Sequence, residues 1–589
     1  MKTRTTVLIA VLLAIVLSAG SLCAQQEGLS HRWLFVMRDF SDDAQVDSTI
    51  ALFPRASAAG YNAVVLSDHR LHRLDEGREG YDRNLPRLRA AAERYHLELI
   101  PVVIPIGYAG GLMVHNRNLA EGLPVRDALY VAGGGQARLV PDPPVSLQGG
   151  DFETMAGDRF EGWDVQDGLG KSLLPSTDIV HSGDTSLHMT TAESNEAAVR
   201  QQVQVHPFRQ YHLRVWIKTS DFDRPGRARI RISAEGEEPQ NLNHTDLQIE
   251  ASQDWTQHHV IFNSFQHDSV AIGLVVSRQG LGDIYWDDLR LEEVGPVNLL
   301  RRSGCPVVVR GEDGTVYEEG LDFQPLIDPL LDPYEIYHEP PVIHLPPDSR
   351  IAEGTRLRVS YYHSVLIHTD QVVGCLSDPA LYDLLRAQIR RVDELLHPAT
   401  FFMNHDEIRV ANWCQACRSR GLTPGEMLAD NVTRSVQIIR EVRPDAQLWV
   451  WSDMFDPMHN AGEGSYFVDG TWEGSWEGLE SSVGIVNWAS FSRGRNFAWF
   501  AERGHQQILA GYYDYDSDGE GIRRWLDAAV DTPSVVGAMY TTWQDRYDDL
   551  EAWAEVAWGE ESAPPVRAEP NALVGEEPEA PAGEESEAP

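Results

Sequence analysis

The chain has 589 residues, too many for one ordinary domain, and its 89 acids against 49 Lys and Arg give a formal net charge of −40. Such a field repels nucleic acid and anionic membrane surfaces and so excludes both as partners. Residues 559–589 hold nine acids and one Arg, so the tail supplies only part of the charge and the body is acidic too. Lysine is confined to Lys2, Lys171 and Lys218.

Residues 2–24 read as an export signal: Lys2 and Arg4, an apolar run over 7–17, then small residues up to Ala24. The run is short for a membrane span, and the mature protein is expected to be secreted, extracellular or periplasmic. Residues 33–39, 62–68 and 99–108 then read as near-continuous apolar strands, with helices over 48–59 and around 83–96 between them. That alternation indicates a parallel sheet covered on both faces. His69 and His72, at His-x-x-His spacing, read as solvated loop histidines.

The pattern breaks after Tyr108. Residues 109–146 carry Gly pairs and prolines and read as loop, closing a first barrel part over 25–146. From 147 to 295 the strands are short and alternating with closely spaced turns, an inserted β-sandwich. Residues 296–356 form a β-rich accessory segment, and 356–363 is its last strand, expected to bring Tyr361, Tyr362 and His363 near the barrel mouth. The second barrel part, 357–558, has helices over 379–396 and 424–442 and strands over 400–403, 447–453, 483–488, 508–514 and 535–543. With the three early strands this makes an α/β fold, a (β/α)8 TIM barrel interrupted by the sandwich. A Pro-, Glu- and Ala-rich disordered tail spans 559–589.

Four cysteines follow the signal: Cys305, Cys375, Cys414 and Cys417. Cys414 and Cys417 form one half of a zinc motif without a second Cys/His pair, so a local disulfide or two packed thiols is expected.

The chemistry gathers at the strand ends, where a barrel places its site. These ends carry Arg38 and Asp39, Asp68, Tyr108, Asp406 and Glu407, Trp451 and Asp453, Trp488, Tyr512 and Asp514, and Trp543 and Asp545. Indole faces stack on sugar rings and carboxylates bind hydroxyls, which points to an oligo- or polysaccharide. Adjacent strand residues face opposite ways, so Asp406 and Glu407 share a ligand only because the strand ends there.

The insert resembles jelly-roll carbohydrate-binding modules through Gly150 to Glu153, residues 181–187 and residues 286–290. That resemblance implies a structural calcium, with Glu153 and Asp288 as ligands. Trp216, Trp255 and Trp286 are candidate platforms, at least two of them expected in the core. Residues 33–108 and 400–558 resemble the β-N-acetylhexosaminidases of glycoside hydrolase family 20. The match is carried by Asp406-Glu407, Trp451, Trp488, Tyr512-Tyr513-Asp514 and Trp543-Gln544-Asp545. The resemblance implies Glu407 as general acid/base and Asp406 as the group orienting the substrate's 2-acetamido nucleophile. Tyr512 would sit on the acetamido oxygen, and Arg38, Asp39, His405, Trp451, Asp453, Trp488, Asp514, Trp543 and Asp545 would bind substrate. No catalytic cofactor is implied. Asn404-His405, Asp545 and Ile106-Gly107-Tyr108 stand where the family has Gly-Gly, Glu and Pro-Gly-His. The competing readings are a non-catalytic glycan binder and a metal-dependent barrel hydrolase using His363, His405, Asp406 and two cysteines.

Overall fold

The computed structural model describes residues 29–559 except 69–70, 72, 74–77, 191–195, 235–238, 278–281, 463–465 and 515–517. The export signal, all but the first residue of the acidic tail, and His69 and His72 lie outside the described residues.

Eight parallel strands close a barrel in chain order. They are β1 (His31–Met37), β2 (Ala63–Ser67), β3 (Glu98–Val103), β4 (Thr400–Met403), β5 (Gln447–Trp451), β6 (Val483–Asn487), β7 (Gln507–Leu509) and β8 (Val535–Tyr540). The outer helices are α1 (Asp43–Ala58), α2 (Arg78–Arg94), α3 (Pro379–Leu396), α4 (Pro424–Val442), α5 (Arg493–Glu502), α6 (Glu520–Ala529) and α7 (Leu550–Trp558). Short 3-10 turns, Asp453–Phe455 and Ser475–Gly478, replace the helix between β5 and β6.

Strand periodicity sorts the side chains. Trp33, Phe35, Val65, Val102, Phe402, Trp449, Trp451 and Met539 fill the interior, while Leu34, Val36, Val64 and Leu66 pack outward against the helices. Gly484 lies beside Trp449 in the β5–β6 register, and a Cβ there would sit 2.2 Å from the indole, so only glycine leaves room for that ring. Helix starts are local in origin: Asp378 caps α3, and Thr423 with Glu426 forms a reciprocal capping box on α4 behind Pro424. No helix among the described residues is long and apolar enough to cross a membrane.

The 270-odd residues between β3 and α3, about half of the chain, hold two nested units. The inner one is a sandwich of two five-stranded antiparallel sheets, with Gln210–Ser220, Asp283–Glu293 and Ser186–Thr190 in one and Ala228–Ala234, Ser269–Ser277 and Glu196–Gln204 in the other. Trp286, Leu213, Val215, Ile217, Ile272 and Leu274 are buried in it. The outer unit is a six-stranded sheet built from both sides of the sandwich: Leu123–Gly133 and Gln136–Leu139 before it, Val308–Gly311, Val316–Tyr317, Ile343–His344 and Arg356–His363 after it.

Two sequence expectations change here. Residues 123–139 are not loop and do not belong to the barrel; they pair with Arg356–His363 and extend the accessory sheet. Pro124, and Asp127 in the left-handed region at φ 53° where the register shifts, break the alternation that would have marked the strand. At its other end the accessory unit runs to His363, as the reading of 356–363 as its last strand has it, rather than stopping at 356. Tyr361 and His363 are also buried rather than at the mouth; His363 pairs with Asn263 at 3.0 Å, on the seam with the sandwich.

Candidate active site

The rim segment begins where β4 ends. Asn404 N–H still bonds the Val103 carbonyl at 2.6 Å, holding the chain against β3 for one further residue. His405 turns inward: fully buried, it meets Asn431 Oδ1 of α4 at 2.9 Å, and burial pushes its ring pKa down to about 4. It anchors the segment from behind, its ring enclosed against α4 rather than open at the rim.

Glu407 has φ 45°, and this left-handed turn breaks strand alternation at the two acids. Gly107 makes the turn possible, because a Cβ there would lie 2.0 Å from the Asp406 carbonyl oxygen. Glu407 Oε2 accepts from the Tyr108 hydroxyl, and its Oε1 pairs with Arg409 at 2.7 Å. Gln371 donates to the Glu407 carbonyl at 2.7 Å, and Arg409 donates to Gln371 Oε1 at 3.0 Å. Arg409 also lies over the Tyr466 ring at 4.5 Å, and Tyr466 leans on His244 of the sandwich at 4.1 Å. Burial, with Glu407 and Asp406 adding to it, pushes the Tyr108 phenol well up, so it serves as a neutral donor.

Asp406 adjoins Asp453, just past β5. Asp453 is fully buried; its Oδ2 accepts from Glu407 N–H and Asn460, both at 2.9 Å. The Oδ1 atoms of Asp406 and Asp453 are both buried without a donor. Burial first, then the charges of Asp453 and Glu407, push the Asp406 carboxyl well above the usual range, with Arg409 opposing. Burial raises Asp453 as well, against its hydrogen bonds. A proton shared between the two would satisfy both bare oxygens, as in other adjoining carboxyl pairs. The resemblance makes Glu407 the general acid, the group that must hold a proton. The structure instead sets a guanidinium against Glu407 and a second carboxyl against Asp406.

Indoles line the rim unequally. Trp451 is 3% exposed and packs on Phe35, Phe402 and Trp543, so it is interior rather than platform. Trp488 and Trp543 are half-buried; Trp488 meets His459 edge-on at 4.5 Å, and Trp543 rests on Phe35. Tyr512, 38% exposed, accepts from Gln544 at 3.2 Å. Asp514 is buried, with its carboxylate taken by Trp543 N–H at 2.8 Å, Gln544 N–H at 3.3 Å and the Thr542 hydroxyl, so it shapes the Trp543 loop. Arg38 grips Asp545 with two bonds of 2.8 and 2.9 Å. Asp39 accepts from Ser41 N–H at 2.9 Å, and Asp68 from Phe40 N–H and Tyr81.

Tyr108, Asp406, Glu407, Arg409, Asp453 and Asn460 thus form one connected set, and Trp488 joins it through its side-chain contact with Asp453. Arg409, Gln371 and Asn460 escaped the sequence reading; only Arg409, two residues past Glu407, offered a signal. In the sandwich, Glu153 accepts from the N–H groups of Asp184 and Thr185, and Asp288 pairs with His181 and Ser182, so both hold the 181–185 turn. Trp286 is core; Trp216 and Trp255 are half-buried around His181. One group among the described residues brings three or more metal-ligating side chains together, Glu121 with Cys375, Cys414 and Cys417. His363, His405 and Asp406 are not in it, so the described residues do not bring together the ligand set considered from sequence for a metal-dependent hydrolase; Glu153 and Asp288 are not in it either.

No protein-family model matches this chain, and no curated protein does. Among solved structures, a family 16 carbohydrate-binding module is similar at 17% identity over 22% of this chain and 90% of its own, with a TM-score of 0.17. The xylan-binding CBM22-1 domain of Paenibacillus barcinonensis Xyn10C is similar at 16% identity over 24% of this chain and 90% of its own, TM-score 0.19. A CBM61 module in complex with β-1,4-galactotriose is similar at 18% identity over 25% and 97%, TM-score 0.19. The architecture stated above rests on strand pairing alone.

Proposed function

We propose that the chain is a secreted glycoside hydrolase, exo-acting on β-linked N-acetylhexosaminides or related glycans by a substrate-assisted, retaining mechanism. The observation that carries this reading is Asp406 adjoining Glu407 and paired with Asp453, a carboxyl pair that favours a held proton at a rim with half-buried indoles. As that proton passes to Glu407, a 2-acetamido N–H donated to the charged Asp406 would turn the acetamido carbonyl oxygen toward the anomeric carbon. Attack there breaks the glycosidic bond as Glu407 protonates the leaving oxygen; Glu407 then takes a proton from the water that opens the cyclic intermediate. Adjacent acids suit this exception to the two-carboxylate geometry. Trp488 and Trp543 support a sugar face, Tyr512 the acetamido oxygen, and Asp453 fixes both acids. Calcium in the sandwich, at Glu153 and Asp288, belongs to the same proposal as a structural ion only.

Aryl β-glycosides with and without a 2-acetamido group test it. The native chain should hydrolyse the acetamido series, and Glu407→Gln should lower kcat by ~10^2–10^4 with a folded circular-dichroism spectrum. Equal rates on both series, or full activity in Glu407→Gln, sinks the assignment. A second reading, a glycan-binding barrel without turnover, is favoured by Arg409 and Tyr108 engaging both Glu407 oxygens; binding on a glycan array with no hydrolysis of either series selects it.

A further inference from the structure

The four cysteines come from three distant parts of the chain and meet at one buried point. Cys305 lies in the accessory segment, Cys375 on the return to α3, and after β4 Cys414 caps the short helical turn Gln415–Arg418 that contains Cys417. Cys375 Sγ is 3.7 Å from Cys414 Sγ and also 3.7 Å from Cys417 Sγ. Cys414 Sγ further accepts from Cys417 N–H at 3.5 Å and is in hydrogen-bond contact with Cys305 Sγ. A disulfide holds its sulfurs about 2.05 Å apart. Thiolates at ~2.3 Å around a tetrahedral ion stand about 3.8 Å apart. Cys375, equally distant from two sulfurs, has the second spacing and not the first.

The surroundings agree. Arg302, 6% exposed, turns its guanidinium toward the cluster; Nη1 is 3.6 Å from Asp378 and Nη2 3.9 Å from Glu121, while Nε is buried without an acceptor. Sulfur bearing negative charge answers the bare Nε and adds to the two carboxylates around the buried cation. Glu121 accepts from Trp413 N–H at 3.1 Å and Cys414 N–H at 3.0 Å, and Cys417 Sγ donates to it at 3.4 Å. Glu121, Cys375, Cys414 and Cys417 bring their ligand atoms within 4.8 Å of one another, and Cys305 joins this group through Cys414. Glu121 Oε1 already accepts from two N–H groups, which makes the softer Cys305 the better fourth ligand. A second pair absent from the local sequence around Cys414 and Cys417 is thereby supplied from afar.

We infer that Cys305, Cys375, Cys414 and Cys417 hold one structural zinc ion, with Glu121 and Arg302 ordering the site from outside. Four sulfur ligands with no open position suit structure and not catalysis. The ion would fasten the accessory unit to the segment after β4, next to Trp413, whose ring packs on Phe208 and Phe265 of the sandwich.

The test uses the full chain purified without reductant: metal content by plasma mass spectrometry, thiol titration, intact mass, and the cobalt-exchanged absorption spectrum. The expected result is one zinc per chain, thiols that titrate only after unfolding with chelator, the visible bands of a tetrahedral cobalt thiolate, and a lower thermal midpoint after chelation. Cys305→Ser should weaken zinc binding at least ~10-fold, while Glu121→Gln keeps the stoichiometry. The cobalt spectrum of the native chain decides the matter even if a cysteine variant fails to fold. Two disulfides without metal, or free thiols that take up neither zinc nor cobalt, overturn the site. Full zinc affinity in Cys305→Ser overturns that ligand.

Discussion

Asp406 and Asp453 each turn toward the other an oxygen that lacks a donor. Because the folded state raises the Asp406 carboxyl, its contribution to stability is full below the ordinary carboxylate range and is lost as pH rises through the raised value. Asp406→Asn removes that loss and lets an amide N–H reach Asp453. The variant should melt ~2 °C above the native chain at pH 8 and level with it at pH 4, while losing turnover of acetamido substrates; calorimetry at both pH values checks it. The adjacency of Asp406 and Glu407 was legible because a strand leaving an apolar run on two acids is a local pattern. The inward turn of His405 was not, since it depends on Asn431 of α4 lying behind the rim. Gln371 was invisible for the same reason, sitting in a loop with no periodicity to mark it.

At the scale of elements, the seam between sandwich and accessory sheet depends on Arg209, just before the strand Gln210–Ser220. Its guanidinium donates to the Arg126 carbonyl and to that of Asp127 at 2.9 Å, and pairs with buried Glu293 at 3.2 Å. Burial pushes Glu293 up to about 7, with Arg209 opposing. Arg209→Met should cost ~3 kcal/mol at pH 8 by stranding a buried carboxylate, and less at pH 5, where Glu293 binds a proton. Urea unfolding at the two pH values measures the difference, and an equal loss at both refutes the pairing. The barrel strands were readable because strands buried on both faces are nearly continuous apolar runs. The long strand Leu123–Gly133 was not: its own alternation is interrupted, the Gly134-Gly135 turn to its hairpin partner Gln136–Leu139 reads equally as loop, and its other partner lies over 200 residues away.

Across the whole molecule, the sandwich reaches the site through His244, Tyr466 and Arg409 to Glu407. His244→Ala should lower kcat on a small aryl glycoside several-fold with little change in KM, since small displacements of a catalytic carboxylate are costly. Trp216→Ala, in the module against His181 and outside that chain of contacts, should leave that substrate's kinetics unchanged; steady-state rates for both variants settle it. Nesting of one inserted unit inside another was only half legible: composition marked the sandwich, while the accessory sheet is assembled from segments on both sides of it. That arrangement also orders events during synthesis. β3 and β4 are neighbours, Phe402 beside Val102 and Met403 beside Val103, yet a ribosome delivers β4 about 300 residues, or ~15–60 s, after β3. The intervening sheets pair only among themselves and can finish folding in the interval. The first three barrel strands must wait as an unfinished apolar ribbon with a bare edge, which is the stage at which a nascent chain of this design most needs a chaperone.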